Sequence, residues 1–445
     1  MPRSQMPRRM DAGTAGFAAD FAGFIAEDRD NGVDVMGVVR DILKRVRAEG
    51  DAAVLDYTRK FDRVSLTAET MRVTPAEVEE AFAACDPKQI DALRIAAARI
   101  DSFHRRQLPD GFAYTDPEGV ELGLRWSAVE AVGLYVPGGL AAYPSSVLMN
   151  AMPAKVAGVP RIVMTVPTPD GVLNPLVLAA AKLAGVTEIY RLGGAQAVGA
   201  LAYGTQTIQP VDKIVGPGNA YVAEAKRQVF GTVGIDSIAG PSEILVVADR
   251  DNDPDWIAAD LLSQAEHSDD AQSVLITDDA GFADAVAAAV ERQLAVLPRG
   301  AIARQSWEKH GAIITVPALA DAVPLVDRIA PEHLELAVAD PEALSAKIRN
   351  AGAIFLGRHT PEAVGDYVAG PNHVLPTSRT ARFSSGLGVL DFMKRSTLIR
   401  CDAASLGRIG PAAVTLAEAE GLDAHARSVA IRLNGGRLGN GAPEV

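Results

Sequence analysis

The segment Val132-Gly133-Leu134-Tyr135-Val136, followed by Pro137-Gly138-Gly139, is the first of several apolar runs that decide the fold. Between Ala131 and Asp249 these runs alternate with helical stretches, and most of the connections carry Pro or Gly at the carboxyl end of the strand. The runs are Val132–Val136, Ile162–Val166, Glu188–Arg191, Lys213–Val215 and Glu243–Val247. Buried strands separated by helices predict a parallel sheet with right-handed crossovers, which binds ligands outside the carboxyl ends of its strands.

Glycine-rich loops are expected at that edge. They are Pro137–Gly139, Gly193–Gln196, Gly216–Asn219 and Gly240–Glu243. Glycine lets backbone amides approach phosphate oxygens, so the loops together favour a cofactor cleft. None matches G-x-G-x-x-G, however, and each loop taken alone is also explained by turn formation.

A second alternation of strands and helices begins after residue 267. We predict strands at Ser273–Thr277, Ala312–Val316 and Ala353–Leu356, and helices at Ala280–Leu297, Leu319–Ile329 and Pro341–Ala351. The predicted fold class is α/β, with two Rossmann-like parallel-sheet domains, an incomplete dinucleotide fingerprint and small helical segments at both termini.

We expect four regions. They are an N-terminal arm or helix (1–30), a discontinuous first α/β domain (31–130 and 245–388), a second Rossmann-like domain (131–244) and a C-terminal helical domain (389–445). In the arm, Phe17, Phe21, Phe24 and Ile25 fit one helix face, which this protomer or a second one must cover. From Asp391 onward the chain is expected to be helical.

Composition excludes several classes of protein. The net charge of −13 and the 5% aromatic content argue against a general nucleic-acid or anionic-membrane surface. Only Cys85 and Cys401 are present, so neither a disulfide framework nor a thiolate metal site is expected. No apolar run is long enough to span a membrane, and a cytoplasmic protein of more than one domain is the expectation.

The stretch Asp260–Ser268 carries the first candidate site. Asp253-Pro254 predicts a helix start, and Gln264 and His267 are three residues apart near the end of that helix. An amide oxygen and an imidazole on one side could form half of a metal site, although a solvated helix end explains them equally well.

Other candidates are Glu332-His333, Asp366 and His425. A histidine with an unperturbed pKa of about 6.5 suits general-base chemistry near neutral pH. Asp366 falls in a Gly- and Pro-rich loop, and His425 on an amphipathic helix, where a structural role is the alternative. His373 is ambiguous.

Together these stretches resemble the histidinol dehydrogenase family, in order from about Val33 to Leu433. The matching motifs are Gly133–Gly139, Gly193–Ala197, Val215–Asn219, Ala239–Glu243, Asp260–His267, Pro331–Leu334, Gly365–Pro376 and Asp423–His425. The resemblance implies an NAD-dependent, zinc-requiring enzyme that oxidises L-histidinol to L-histidine through L-histidinaldehyde, the last step of histidine biosynthesis.

The resemblance also assigns roles to residues. The zinc ligands would be Gln264, His267, Asp366 and His425. The catalytic pair would be Glu332 and His333. The substrate contacts would be Ser242, Gln264, His267, His333, Asp366, Glu420 and His425, and the NAD contacts, in the domain of residues 131–244, would be Tyr135, Gln196 and Asn219.

In the family, the terminal segments form an intertwined homodimer, and His425 reaches the site from the partner subunit. His333 would take the hydroxyl proton, and Glu332 would activate the water that adds to the aldehyde. Three rival hypotheses remain: a related zinc and NAD dehydrogenase acting on another small amino or sulfo alcohol, a zinc hydrolase, and a non-catalytic binding protein.

Overall fold

The computed structural model describes residues 7–27, 29, 35–138, 143–238 and 240–434. They fall into two compact units. The larger unit holds the described residues up to Gln107 together with Val129–Phe392, and the smaller unit holds Leu108–Ala128 and those from Met393 onward. Gly139 of the first glycine loop, Ala239 beside the fourth and residues 1–6 of the predicted arm lie outside the described residues. Within the described part of the chain, no helix is both long and apolar enough to cross a membrane.

The strands, in chain order, are β1 Arg8–Asp11, β2 Phe112–Thr115, β3 Glu121–Ala128, β4 Ala131–Tyr135, β5 Arg161–Thr165, β6 Glu188–Tyr190, β7 Lys213–Val215, β8 Gly234–Ile235, β9 Glu243–Ala248, β10 Gln272–Thr277, β11 Ala312–Thr315, β12 His333–Ala337, β13 Ala353–Leu356 and β14 Met393–Arg400. The helices are α1 Phe17–Ala26, α2 Met36–Glu49, α3 Asp51–Phe61, α4 Pro75–Ala84, α5 Pro87–Arg105, α6 Pro144–Ala157, α7 Pro175–Ala184, α8 Gly194–Tyr203, α9 Ala220–Val229, α10 Pro254–Ala265, α11 Ala280–Leu294, α12 Gly300–His310, α13 Val323–Ile329, α14 Pro341–Ser345, α15 Glu362–Tyr367, α16 Ala403–Ala419 and α17 Asp423–Leu433.

The larger unit contains a six-stranded parallel sheet in the order β1-β11-β10-β9-β12-β13. Its central strand β9 is buried along its whole length. Ile244 and Val246 face one apolar cluster, and Leu245 and Val247 face another. Because successive side chains of a strand point to opposite faces, this uniformly apolar run requires cover on both sides.

The same unit contains a five-stranded parallel sheet in the order β6-β5-β4-β7-β8. The strand order reverses beside β4, so the carboxyl ends of β4 and β7 flank a crevice of the kind that binds ligands in open α/β sheets. Two Rossmann-like parallel-sheet regions were predicted, and this part of the fold prediction is confirmed. The prediction that all four glycine loops share one edge is wrong, because Gly240–Glu243 leads into the amino end of β9 in the other sheet.

The helices between residues 36 and 105 pack differently from the predicted grouping of residues 31–130 with 245–388. Helix α2 packs on α8 and α9, and α4 and α5 pack on α6 and α7, which connect the strands of the five-stranded sheet. Helical periodicity in a sequence identifies an apolar face, but it does not identify the sheet that the face will cover. Gly50, with a φ of 59°, separates α2 from α3.

The N-terminal segment begins with a strand that was not predicted. β1 pairs in parallel with β11 and extends the six-stranded sheet. Helix α1 follows, and its Phe21 and Phe24 are buried in a cluster with Ile314 of that sheet. The apolar face of the arm is therefore covered by this protomer.

The smaller unit combines an antiparallel sheet, in the order β14-β3-β2, with the packed helices α16 and α17. The chain was expected to be helical from Asp391 onward, and this is wrong for Met393–Arg400. Nearly all side chains of β14 are exposed, so no buried periodicity marks the strand. Its conformation depends on pairing with β3, more than 260 residues earlier in the chain.

Candidate active site

The candidate site lies at the amino edge of the six-stranded sheet, where β9 and β12 begin side by side. The backbone N–H of Glu243 donates to Glu332 Oε2 at 3.0 Å, and that of Glu332 donates to Glu243 Oε2 at 3.3 Å. Arg29 forms a buried ion pair with Glu243. These reciprocal bonds hold the starts of both strands in register, and thereby position His333.

His333 is 3% exposed, and its Nδ1–H donates to the backbone carbonyl of Glu243 at 2.9 Å. This bond leaves Nε2 as the free ring atom, and Nε2 has no hydrogen-bond partner among the described residues. It lies 3.6 Å from Asp366 Oδ1 and 3.7 Å from Glu362 Oε1. Both distances exceed those of a hydrogen bond and leave space for a bound atom between these groups.

Helix α15 supplies the two carboxylates. Glu362 is its first residue and Asp366 lies four positions later, so the two side chains share one face. The ligand atoms of His333, Glu362 and Asp366 all lie within 4.8 Å of one another, close enough to hold one metal ion.

Helix α10 brings Gln264 and His267. Asp253 caps the helix and Pro254 is its first residue, as the sequence predicts. Gln264 is 1% exposed, and its Oε1 lacks a hydrogen-bond partner among the described residues. The exposed His267 lies just beyond the last helical residue, and its Nδ1–H donates to Ser263 O at 3.0 Å. This bond leaves the Nε2 lone pair of His267 available for a metal.

Burial and charge together set the pKa values at this edge. Burial raises the pKa of Glu332 to about 7 and that of Glu362 to about 8, and Asp366 adds to the rise at Glu362. Burial lowers the pKa of His333, but Glu332, Asp366 and Glu362 outweigh it and raise the value to about 10. Burial opposes ionisation of Asp366, yet His333 and His373 hold its pKa below the usual range.

The donor set fits a divalent cation. Gln264 Oε1 and Glu362 Oε1 are buried oxygen atoms without a hydrogen-bond partner in the described part of the chain. Leaving such atoms unpaired is costly, and a cation would satisfy them. Imidazole, carboxylate and amide ligands without thiolate suit zinc and neighbouring divalent ions.

Three further residues of this edge were not among the predicted site residues. Glu362 lies one helical turn before Asp366, and Glu335 lies two residues after His333 on the same strand face. The spacing from a candidate residue would have indicated both. Burial raises the pKa of Glu335 well above its usual value, and neighbouring Asp260 raises it further. His373, ambiguous in the sequence, donates from Nδ1 to Asp366 O at 3.0 Å.

The residues predicted to bind NAD lie at or near the carboxyl edge of the five-stranded sheet. Tyr135 ends β4, and its hydroxyl accepts the N–H of Gly194 at 3.1 Å. Gln196 is buried at the start of α8, and its Oε1 has no hydrogen-bond partner among the residues that the structure describes; Asn219 caps α9. A Cβ at Gly216 would lie 2.1 Å from the carbonyl oxygen of Tyr135, so backbone packing alone requires a glycine there.

A cavity of about 1080 Å³ connects the two sheet regions. Asn219, predicted to bind NAD, and Ser242, predicted to contact substrate, both line it. Arg29, Glu243 and Arg379 form part of the same wall.

Two predicted site residues belong to the smaller unit. Glu420 follows the end of α16, and His425 lies in the first turn of α17. Both side chains are exposed.

Fold and site together define an α/β enzyme with two parallel sheets and an imidazole–carboxylate centre. Comparison with known proteins then gives the family. The family model described as histidinol dehydrogenase matches residues 26–433. The histidinol dehydrogenase of Rhodospirillum rubrum is 68% identical over 432 residues, which cover 97% of this chain and 100% of the relative. That of Rhizobium meliloti is 66% identical, covering 95% of this chain and 98% of the relative.

A solved structure agrees. The crystal structure of histidinol dehydrogenase from Elizabethkingia anophelis matches with a TM-score of 0.92 and 37% identity, covering 98% of this chain and 99% of the other. The chain therefore belongs to the histidinol dehydrogenase family, and it is an oxidoreductase.

Proposed function

We propose that this enzyme oxidises L-histidinol to L-histidine through L-histidinaldehyde, as the last step of histidine biosynthesis, with two NAD per substrate and one zinc ion per subunit. Family membership supports the substrate. The mechanism rests on the orientation of the His333 ring: its Nδ1–H donates to the carbonyl of Glu243, and its Nε2 faces the carboxylates of Glu362 and Asp366.

The proposed zinc ligands are Gln264, His267, Asp366 and His425 of the partner subunit. Histidinol carries an amine and an imidazole, both of which are good zinc ligands. When bound, the ion would supply the charge that orients these groups, and NAD would supply the hydride acceptor. Ser242, Glu420 and the ligand side chains complete the proposed substrate contacts, and Tyr135, Gln196 and Asn219 the proposed cofactor contacts.

The chain's own residues would move the protons. Glu332, Asp366 and Glu362 raise the pKa of His333 to about 10 when no cation offsets their charge, and a divalent cation held beside Asp366 would offset it and favour the neutral imidazole. In the first oxidation, Nε2 of the neutral His333 takes the hydroxyl proton as the carbon gives up a hydride, which produces the aldehyde. In the second, the carboxylate of Glu332 takes a proton from the water that adds to the aldehyde carbonyl. The hydrate then loses a second hydride and becomes the acid. Glu332, with its pKa of about 7, is suited to accept and release a proton near neutral pH.

We also propose a homodimer in which the smaller unit pairs with a partner subunit. This unit exposes large apolar side chains, as an interface surface would. They include Phe112, Tyr114, Leu398, Ile399, Leu416 and Leu422. A cytoplasmic location accords with the unpaired Cys85 and Cys401.

The deciding experiment counts NADH formed from a limiting amount of L-histidinol, with and without a chelator. We expect two NADH per histidinol, loss of the reaction on chelation, and recovery when zinc is returned. One NADH per histidinol would contradict the second oxidation. No reaction with histidinol, but reaction with another small amino or sulfo alcohol, would favour a related dehydrogenase of the same fold.

A further inference from the structure

Glu362 is a buried carboxylate to which the proposed mechanism gives no role. Only 1% of the residue is exposed, and Oε1 has no hydrogen-bond partner in the described part of the chain. A buried carboxylate oxygen in this state is costly unless a cation is placed against it. Oε1 points to the space beside Asp366 and His333, where the three ligand atoms lie within 4.8 Å of one another.

The remainder of Glu362 is firmly held. Oε2 lies 3.1 Å from Ser263 Oγ, whose hydroxyl proton it shares with Asp260 O at 2.7 Å, and the backbone N–H of Glu362 donates to Glu335 Oε1 at 2.5 Å. With these two anchors, the carboxylate has little freedom to turn away or to reach water. Its orientation toward the cluster is therefore imposed by the fold.

Ser263 connects Glu362 to two of the proposed zinc ligands. It precedes Gln264 in the chain, and its carbonyl oxygen accepts the Nδ1–H of His267 at 3.0 Å. The same serine thus binds Glu362 through its hydroxyl group and orients His267 through its backbone. Groups that orient metal ligands in this way commonly change metal affinity 10- to 100-fold when they are removed.

We propose that Glu362 helps to hold the divalent cation of this site: its Oε1 supplies negative charge toward the ion, and its Oε2, through Ser263, fixes the end of α10 that carries Gln264 and His267. It is a residue of the cation site and takes no part in proton transfer. This inference rests on the proposed function for the presence of the cation, and it goes beyond the four ligands assigned by family resemblance.

The test is the zinc affinity of the full-length protein, measured by competition with a chromogenic chelator. We expect E362Q to bind zinc roughly 10- to 100-fold more weakly than the wild type. S263A keeps the carboxylate but loses the anchor, and should show a smaller loss in the same direction. E188Q is the matched control, because Glu188 is a half-buried, ion-paired carboxylate on the edge strand of the other parallel sheet. It should bind zinc as the wild type does.

Thermal unfolding of the zinc-free proteins separates this role from a purely structural one. E362Q replaces a buried carboxyl group, whose ionisation burial opposes, with a neutral group of similar shape, so its zinc-free form should unfold no earlier than the wild type. Wild-type zinc affinity in folded E362Q would overturn the proposal, as would an affinity loss that E188Q shares. Should E362Q fail to fold, unchanged zinc affinity in S263A would overturn it instead.

The outcome is independent of the substrate. If the wild type binds zinc but does not oxidise histidinol, the proposed function fails while the comparison of E362Q with the wild type still decides the role of Glu362.

Discussion

The two parallel sheets of the larger unit present different chemistry at opposite edges. The five-stranded sheet places a hydroxyl group, two amide side chains and glycine turns at or near its carboxyl edge, around Tyr135, Gln196 and Asn219. The six-stranded sheet places imidazole and carboxylate groups at its amino edge, around Glu332 and His333. Neutral hydrogen-bonding groups suit the binding of a cofactor, whereas titratable groups with shifted pKa values suit proton transfer.

Under the proposed function, this difference separates cofactor binding at one edge from proton transfer at the other. The rule that open α/β sheets bind ligands at carboxyl ends accounts for the first edge but not for the second. In the six-stranded sheet, polar side chains meet at the amino edge because the reciprocal bonds between Glu243 and Glu332 fix the strand starts, and because Ser263 of α10 contacts Glu362 of α15 there. Variants at the two edges should consequently affect different kinetic constants.

The largest effect is expected at the amino edge, from His333→Gln. Loss of a positioned general base should lower kcat for histidinol roughly 10²- to 10⁴-fold, with little change in the KM for NAD. Steady-state NADH formation measures both constants, and circular dichroism checks the fold. The exposed His359, which packs against Trp256, provides the control His359→Gln, which should retain full activity. An equal loss in the control, or an unchanged kcat in His333→Gln, would contradict this division between the edges.

Glu332→Gln should slow the two oxidations to different extents. Glutamine can still accept the N–H of Glu243, but it cannot take a proton from water. Oxidation of histidinaldehyde should therefore slow roughly 100-fold or more, and the first oxidation should slow less. The measurement compares single-turnover rates with histidinol and with histidinaldehyde as substrate. Equal slowing of both steps would mean that Glu332 acts by holding His333 in place.

The sequence predicts some elements of the fold and not others. The buried runs of β4, β5, β7 and β9 were predictable, because burial leaves a local pattern in hydrophobicity. Strand β14 was not, since its exposed side chains form a strand only through pairing with the distant β3. Local hydrophobic patterns also did not predict which sheet the helices α2–α5 cover.

The candidate site follows the same logic. Glu332, His333 and Asp366 were candidates from their residue types and sequence context, and the family resemblance then gave them roles. The structure brings His333 and Asp366 together. Glu362 and Glu335 were missed, although their spacing from Asp366 and His333 put them on the same helix and strand faces as those two candidates. Only the fold places both of them, buried, beside His333.

At the carboxyl edge, Asn219→Ala should affect NAD binding. Asn219 Oδ1 accepts the N–H groups of Tyr221 and Val222, so its loss should destabilise the protein by about 1 kcal/mol. Asn174, which caps α7 through the N–H of Leu176, is the matched control, because Asn174→Ala should cost a similar amount. Only Asn219→Ala should also raise the KM for NAD, roughly tenfold for one lost hydrogen bond. A similar rise in Asn174→Ala would assign the effect to general destabilisation.

The smallest expected effect is on the pH dependence of stability, and it comes from two buried histidines that belong to neither edge. At neutral pH this effect should be absent. His104 in α5 lies on the side of the five-stranded sheet, and His310 ends α12, which packs on β10 of the six-stranded sheet. Burial lowers the pKa of both imidazoles. Below the unfolded-state pKa of about 6.5, the unfolded chain binds protons that the folded protein does not, so stability falls as pH decreases through that value. Above it, both states carry a neutral imidazole, and the stabilising contribution is fully present.

Urea unfolding of His104→Gln and His310→Gln between pH 8 and pH 5 should therefore show a weaker pH dependence of the free energy of unfolding than the wild type, whatever the cost of each substitution at pH 8. If the two sheets differ only at their edges, both variants should reduce the dependence of the free energy of unfolding on pH. A stronger pH dependence in either variant would mean that the imidazole it replaces is charged in the folded protein.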